Sequence, residues 1–426
     1  MTEFVLRKAN IYTSSGQVID IRDIVAEYNF FESLDSCSTS VELTVVDMNN
    51  IIENYNIFGQ EKLVMEFGNS TENLYELDFY IFKISSRSMY QRKQAYIIHA
   101  ASKELLLNES KRVSRRFKNI KAEKIVESLL KNVLESKNKT LNYDVSIYNI
   151  NFLSPNWRVF DLISWLQKRT VSKDFKNSSG YLFYETLDNN FYFKSIDKLL
   201  SKSSRYNYPF VYLQSNVDKS TSLSEDFRIR RFSLPEVFDV LSHSRLGTYA
   251  HTQMNLDINN RKFYSSFLSA DDYIKNSVTL NPQKPYRSSG VFNVTQNPTR
   301  IVFKPYMSDT WSDSTKTLNT DFINTNISKS IFRHNLFNLN RLEIEIKGNF
   351  DIRCGDIVDV LIPSPESTSG APRPDERLSG KYLIFSAKHS LTSKTDLTTY
   401  LSLVRDTYGG DNLPDTIVES RVGQYL

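Results

Sequence analysis

Two distant stretches of this chain carry the same punctuation. Near the start, "VELTVVD" leads through a connection to "GQEKLVMEF" and then to "YIFKISSRSMYQRKQAYIIHAAS". Near the end, "LEIEIKG" leads to "CGDIVDVLI" and then to "YLIFSAKHSLTSKTDLTTYLSLVR". Each reads as a strand, a glycine with an acidic residue next to it or nearly so, and a second strand. A Tyr-led third strand, a basic polar turn and a Tyr-led fourth strand follow. This alignment sets Tyr80 opposite Tyr382, Met89 opposite Leu391 and Tyr96 opposite Tyr400. One hairpin always resembles another, but four elements in one order predict a duplicated small β-barrel over Ser40–Ser102 and Arg341–Val404.

The second copy contains "GNFDIRCGDIVDVLIP" (Gly348–Pro363), whose Cys-Gly-Asp invites a nucleophile or metal reading. A barrel corner explains it more simply. Gly355 can adopt φ > 0 at a tight turn, and Asp356 can hydrogen-bond the backbone at the strand entrance. Val358, Val360 and Ile362 then share one strand face, and Pro363 stops it. Gly59 and Glu61 fill the same structural-turn role in the first copy. No histidine or other base adjoins Cys354.

Between the copies the periodicity changes. Ala122, Ile125, Val126, Leu129, Leu130 and Val133 recur at helical spacing, which predicts an amphipathic helix. A second helix is predicted to begin at Ser154-Pro155, with Val159, Leu162, Ile163 and Leu166 on its buried face. A hairpin follows, turning at Asp188-Asn189-Asn190. The stretch 247–332 is irregular, but Phe263, Tyr264, Phe267, Phe292, Val302, Phe303, Tyr306 and Trp311 are too many apolar residues for a linker. It is read as an inserted domain ending in a helix near 320–336.

The predicted fold is therefore α+β and predominantly antiparallel β, with two similar small barrels, an α+β domain and an inserted domain. The boundaries are 1–105 for the first barrel and 106–205 for the α+β domain. The second barrel takes 206–246 and 333–408, the insertion 247–332, and the C-terminal tail 409–426. A length of 426 residues suggests about three domains at roughly 150 residues each, enough to bury more than one core.

Charge does not predict tight electrostatic binding to a polyanion: 53 basic and 49 acidic residues leave a net charge of +4. The densest basic run, "KRVSRRFKNIK" (111–121), is read as a solvated lead-in to the helix or an acidic-protein contact, with a nucleic-acid patch as the sharper alternative. Cys37 and Cys354 form no zinc spacing; two free thiols are favoured over a disulfide, as in a protein made in a reducing compartment. The N-terminus lacks a signal-peptide pattern, and no apolar run is long enough to span a membrane.

No GxSxG, HExxH, GxxxxGK[ST] or GxGxxG motif occurs. His99, His243, His251, His334 and His389 are dispersed, and His99 and His389 sit in or beside strands as packing residues. The adjacent acidic pairs Asp271-Asp272 and Glu225-Asp226 are read as solvated loop residues. No catalytic, cofactor-binding or metal-binding residue is assigned.

Four stretches in order carry a family likeness: "VELTVVDMNNIIENYNIFGQEKLVMEF", "SPNWRVFDLISWLQKRT", "GYLFYETLDNNFYFKSIDKL" and "KGNFDIRCGDIVDVLIP … GKYLIFSAKHSL … TTYLSLVRD". Together they resemble the central baseplate hub protein of contractile-tailed bacteriophages and, more distantly, the hub portion of type VI secretion spike proteins. The likeness runs from about residue 41 to 406, with 247–332 poorly matched. Cys354 stands where relatives often place a proline, and the loop 363–379 is longer than expected.

The resemblance implies a non-enzymatic virion protein, without cofactor, assembled in the host cytoplasm. Its implied partners are two further copies in a homotrimer, a ring of tail tube protein, a trimeric spike, and surrounding baseplate wedge or hub proteins. DNA would pass without sequence-specific binding, and no membrane is involved. Two barrels per chain would make six in a trimer, matching a six-fold tube to a three-fold spike. The tail is expected to order on assembly. The competing readings are a cell-wall glycoside hydrolase using the carboxylates of the insertion and a glycan-binding module around Trp311.

Overall fold

The computed structural model describes residues 4–408 apart from 71–73, 92, 177, 213–224, 236–237, 259–260, 276, 287–292, 307–319, 338, 365–373 and 393–395. Phe292, Trp311, most of the loop 363–379 and the tail 409–426 lie outside the described residues.

The chain opens with β1 (Val5–Tyr12), β2 (Val18–Asp20), β3 (Val25–Ser33), β4 (Ser40–Asp47), the single turn α1 (Ile51–Asn54), β5 (Lys62–Gly68), β6 (Leu74–Tyr90) and β7 (Lys93–Ser102). The middle region holds α2 (Lys103–Ser110), β8 (Arg116–Lys121), α3 (Ala122–Asn132), β9 (Leu141–Tyr143), β10 (Asn149–Leu153), α4 (Val159–Gln167), β11 (Tyr181–Thr186), β12 (Asn190–Ser195) and α5 (Ile196–Leu200). Then come β13 (Phe210–Tyr212), β14 (Arg228–Ser233), α6 (Val240–Leu246), β15 (Ala250–Asp257), β16 (Lys262–Ser269), α7 (Ala270–Lys275), β17 (Arg300–Tyr306) and α8 (Thr320–Phe337). The chain finishes with β18 (Asn340–Lys347), β19 (Ile357–Leu361), β20 (Gly380–Thr392) and β21 (Asp396–Arg405).

Thirteen strands form one sheet in the order β19-β13-β14-β18-β21-β20-β3-β4-β7-β6-β5-β1-β2, and a further pairing of β19 with β20 closes the first six into a barrel. Closure leaves that barrel without free edges. Among the described residues, the first half curls without a closing ladder. Its ends meet through Ile21–Ile24, where the Ile21 N–H donates to the Ala9 carbonyl at 2.9 Å and Val46 N–H to the Ile24 carbonyl at 2.8 Å. The two halves are joined edge to edge, because β20 pairs antiparallel with β3.

The antiparallel order β3-β4-β7-β6-β5 recurs as β14-β18-β21-β20-β19. Its irregularities recur too. Register slips between Val25 and Glu27 in one half and between Ile229 and Arg231 in the other. It slips again between Ile81 and Lys83, and between Ile384 and Ser386. Ile81 therefore holds the place of Ile384, one residue away from the alignment by tyrosines. Val45 pairs with Tyr96, whereas Ile346, its counterpart, pairs with Thr399. Tyr96 is buried and Tyr400 is 42 % exposed, since a one-residue slip turns a strand side chain to the opposite face.

Alternation explains both cores. Val41, Leu43 and Val45 point into the first, and Leu342, Ile344 and Ile346 into the second, all at 2 % exposure or less. Each such side chain contributes about 1.5–3 kcal/mol by leaving water. A third core packs α3 and α4 against β11 and β12. Ala122, Ile125, Val126, Leu129 and Leu130 form the buried stripe of α3, as their spacing requires. α4 starts only at Val159. Asn156 has φ 57 and Trp157 bridges Val113, so Ser154–Arg158 is held out of the helix, and the Ser154 hydroxyl donates to the Val113 carbonyl instead of capping. The stretch read as irregular contains a separate three-stranded sheet, β16-β15-β17, with α8 packed on it.

Candidate functional site

The two corners singled out in sequence share a backbone bonding pattern. In the second half, Gly355 N–H donates to the Ile384 carbonyl at 2.9 Å and Ile384 N–H to the Asp356 carbonyl at 2.9 Å. In the first, Gln60 N–H donates to the Ile81 carbonyl at 2.6 Å and Ile81 N–H to the Glu61 carbonyl at 3.0 Å. Gln60, with φ 74, thus stands where Gly355 has φ 83, and Gly59 lies one residue earlier with φ 103. Gly355 has a second reason to be glycine: a Cβ there would run into the Tyr184 hydroxyl and sit 3.1 Å from its Cζ.

The carboxylates of the corners differ. Glu61 accepts the Phe58 and Gly59 N–H groups, both at 2.9 Å, and so holds its turn. Asp356 instead faces Lys202 at 3.8 Å and Arg205 at 3.7 Å, and burial pushes its carboxyl above the ordinary range despite those cations.

The segment between β18 and β19 clasps the halves together. Phe350 inserts into the first core, 4.7 Å from the Phe67 ring centroid and edge-on to Phe30 at 5.5 Å. Its N–H donates to the Asn69 side chain at 2.9 Å, Asn69 donates to Asn349 at 2.9 Å, and the Tyr75 hydroxyl donates to Asp351 at 2.8 Å. Glu32, on β3, accepts Cys354 N–H at 2.6 Å and Leu187 N–H at 2.9 Å, linking three regions of chain. Burial raises the Glu32 carboxyl, with Arg353 opposing. The Cys354 thiol donates to the Glu32 carbonyl at 3.3 Å and is pushed well up by burial, so it is a packed thiol rather than a thiolate nucleophile.

Two buried ionic knots complete the framework. Lys139 bridges Glu104, at 2.7 Å, and Glu185, whose second oxygen accepts Thr39 N–H at 2.9 Å. Arg333 of α8, fully buried, joins Asp197 of α5 to Asp406 beyond β21. Sequence reading missed these residues, because separation along the chain reaches 322 residues for the Glu32–Cys354 contact. A local hint existed only for Glu32 and Glu185, acidic residues inside the apolar strands β3 and β11.

Each carboxylate of the two acidic pairs has a cationic partner. Burial raises the Asp271 carboxyl, but hydrogen bonds from Lys284, Thr295 (2.7 Å) and Tyr286 (3.3 Å) outweigh it and hold the group below its ordinary range. Asp272 is a surface residue 3.8 Å from Lys275, while Glu225 pairs with Arg228 at 3.5 Å and Asp226 with Lys347 at 2.8 Å. His99, on β7, bonds Ser85 and Glu42, and His389, on β20, bonds Thr399 at 2.9 Å. His251 contacts the Gly247 carbonyl at 3.1 Å, and His243 is buried in α6. Burial drives His334 of α8 down to about 4, Lys168 adding to the effect. Among the described residues no His/Cys/Asp/Glu group is arranged to hold a metal ion. The basic run is partly consumed locally: Lys121 donates to the Ser146 and Ile147 carbonyls, both at 2.8 Å, and Arg112 to carbonyls ending α2.

The sheet β16-β15-β17 is inverted in polarity. Directly opposed residues share a face, and one face carries Thr252, Met254, Leu256, Phe263, Phe267, Ile301 and Phe303. Phe263, Phe267, Ile301 and Phe303 are 50–63 % exposed. The other face, carrying His251, Gln253, Asn255 and Asp257, is buried. Gln253 meets Ser328 of α8, and His251 lies 4.3 Å from the Phe332 ring. Contiguous exposed apolar surface of this kind marks an interaction face.

No protein-family model matches the sequence, and no curated protein matches it. Solved structures do match the fold. A tail protein from Neisseria meningitidis MC58 aligns at a TM-score of 0.56 and 9 % identity, covering 95 % of this chain and 97 % of its own. The 43 kDa tail protein of prophage MuSo2 from Shewanella oneidensis aligns at 0.55 and 9 %, covering 94 % and 98 %. The fold, mostly β with few helices and one closed six-stranded barrel, is thus one found in phage tail proteins.

Proposed function

We propose that this chain is a structural phage tail component, the central hub of a contractile-tail baseplate. It would act as a homotrimer whose ring joins a six-fold tail tube to a three-fold spike. The observation that carries this reading is the whole-length fold match to tail proteins. The strand order that recurs within the chain supports it. One unit copied within a gene would place six look-alike units in a trimer, so two symmetries can meet on one object.

In this reading the domains divide as 1–105, 106–205, 206–246 with 333–408, and 247–332, with 409–426 as a tail. The four structural-turn residues, Gly59, Glu61, Gly355 and Asp356, position the strands that face the ring. Other baseplate proteins surround the trimer in the virion, and DNA passes along its channel. No helix among the described residues is long and apolar enough to cross a membrane.

The uncharged face of β16-β15-β17 is assigned to contacts between neighbouring copies or with the spike, since interface cores are depleted of charge. Native mass measurement and cryo-microscopy of intact tail tips test the proposal. Three copies per tip, with six equivalent β units facing the tube, are expected. A chain absent from tails, or present there as a monomer, overturns it.

A further inference from the structure

The buried knot around Lys139 has the parts of a condensation site. The side chains of Lys139, Glu104 and Glu185 are 12, 4 and 2 % exposed. Lys139 Nζ donates to Glu104 Oε2 at 2.7 Å and to Glu185 Oε1. The ring centroid of Phe191, a member of the third core, lies 5.2 Å from the same nitrogen. The other oxygen of Glu185, Oε2, accepts the Thr39 N–H at 2.9 Å. An amine, a base beside it, a carboxyl carbon and a backbone donor for a developing oxyanion are thus gathered where water is excluded.

Two carboxyls share one cation in this knot. Burial raises the Glu185 carboxyl, with Lys139 opposing and Glu104 adding to the rise, so Glu185 is the group that takes up a proton. Burial pulls the Lys139 amine down, but the two carboxylates outweigh it and hold it above its ordinary range. At rest the knot therefore holds an ammonium, a carboxylate and a neutral acid, without net charge. Stability alone is a weak reason for such a set, since apolar residues of similar volume often serve a core as well as buried ions do.

We propose that Lys139 and Glu185 condense to an intramolecular isopeptide bond, with Glu104 carrying the protons. The Lys139 ammonium passes a proton to Glu104, and the freed lone pair attacks Glu185 Cδ. The Nζ–Cδ bond forms as the carbonyl electron pair moves onto Oε2, facing the Thr39 N–H. Glu104 then protonates Oε1, the Cδ–Oε1 bond breaks, and one water leaves. The second amine proton passes to Glu104, leaving a neutral amide. No oxidant, reductant or cofactor is consumed, and the fixed contact of amine and acid supplies the effective concentration. The amide ties the segment before β9 to β11, across 46 residues of chain. The assignment is independent of the hub function.

Intact-mass measurement of the full chain, followed by sequencing of its tryptic peptides, tests it. The wild type should be lighter than its sequence by one water, with a branched peptide joining Lys139 to Glu185. Lys139→Arg keeps the cation but removes the nucleophile, and should have the full mass. Glu104→Gln should form the link at least about 100-fold more slowly, since a positioned acid–base group contributes about 10²–10⁴-fold. The wild-type mass decides the matter even where a variant misfolds. Full mass after prolonged incubation of the folded wild type overturns the proposal, as does a lost water that maps to any other pair of residues. A link formed equally fast in Glu104→Gln overturns the role of Glu104.

Discussion

His389 couples the clasp to pH. Burial beside Phe350 drives its imidazole down to about 3, with the Arg353 charge adding to the effect. In the unfolded chain a histidine titrates near 6.5. Between those values the unfolded state binds more protons, so this stability is complete above about 6.5 and is lost as pH falls toward 3. The loss attributable to His389 should reach about 2 kcal/mol at pH 5. Denaturant titrations at pH 7 and pH 5 should show a smaller difference for His389→Gln than for wild type, and identical differences would refute the assignment.

Arg333 is a second test of a single side chain. Replacing it with Met leaves Asp197 and Asp406 buried without their cation, for which about 3–5 kcal/mol of destabilisation is expected. Adding Asp197→Asn to that variant should recover part of the loss.

Among the elements, the two corners make opposite demands. Gly355→Ala meets both an unfavourable φ of 83 and the Tyr184 ring, and should cost about 2–4 kcal/mol. Gln60→Gly relieves a positive φ in an exposed turn and should raise stability by roughly 0.5 kcal/mol. Thermal unfolding of the two variants decides whether the corners are equivalent in energy as they are in hydrogen bonding. A loss of stability in Gln60→Gly would show that they are not.

For the whole molecule, the inverted sheet is the feature that a lone chain does not explain. Phe267→Asp with Ile301→Asp places charge on an already exposed face, so the unfolding midpoint should change little. Assembly should instead be lost, measured as a shift to the single-chain mass or absence from purified tails. Unchanged assembly would remove that face from the proposed interfaces.

How much of this was legible in the residues follows from where the signal lies. Alternation marks a strand with one buried face and helical spacing marks an amphipathic helix, so the strand-rich ends, α3 and the hairpin at Asp188–Asn190 are legible locally. Register could not. Matching tyrosines hid a one-residue offset that only the bulges after Ile81 and Ile384 reveal. The stretch 247–332 looks irregular because it is rich in Asn, Ser, Thr and Pro, and the apolar alternation of its strands faces solvent.

The amino-acid order alone determined that the two ends of the chain form strands in one recurring pattern and that α3 is a helix, because periodicity and turn chemistry act over a few residues. The folded chain decided that β3 and β20 merge the halves into one sheet, that Phe350 and Glu32 clasp them, and that an apolar face is left bare. Those outcomes depend on partners hundreds of residues apart, whose meeting no local pattern encodes.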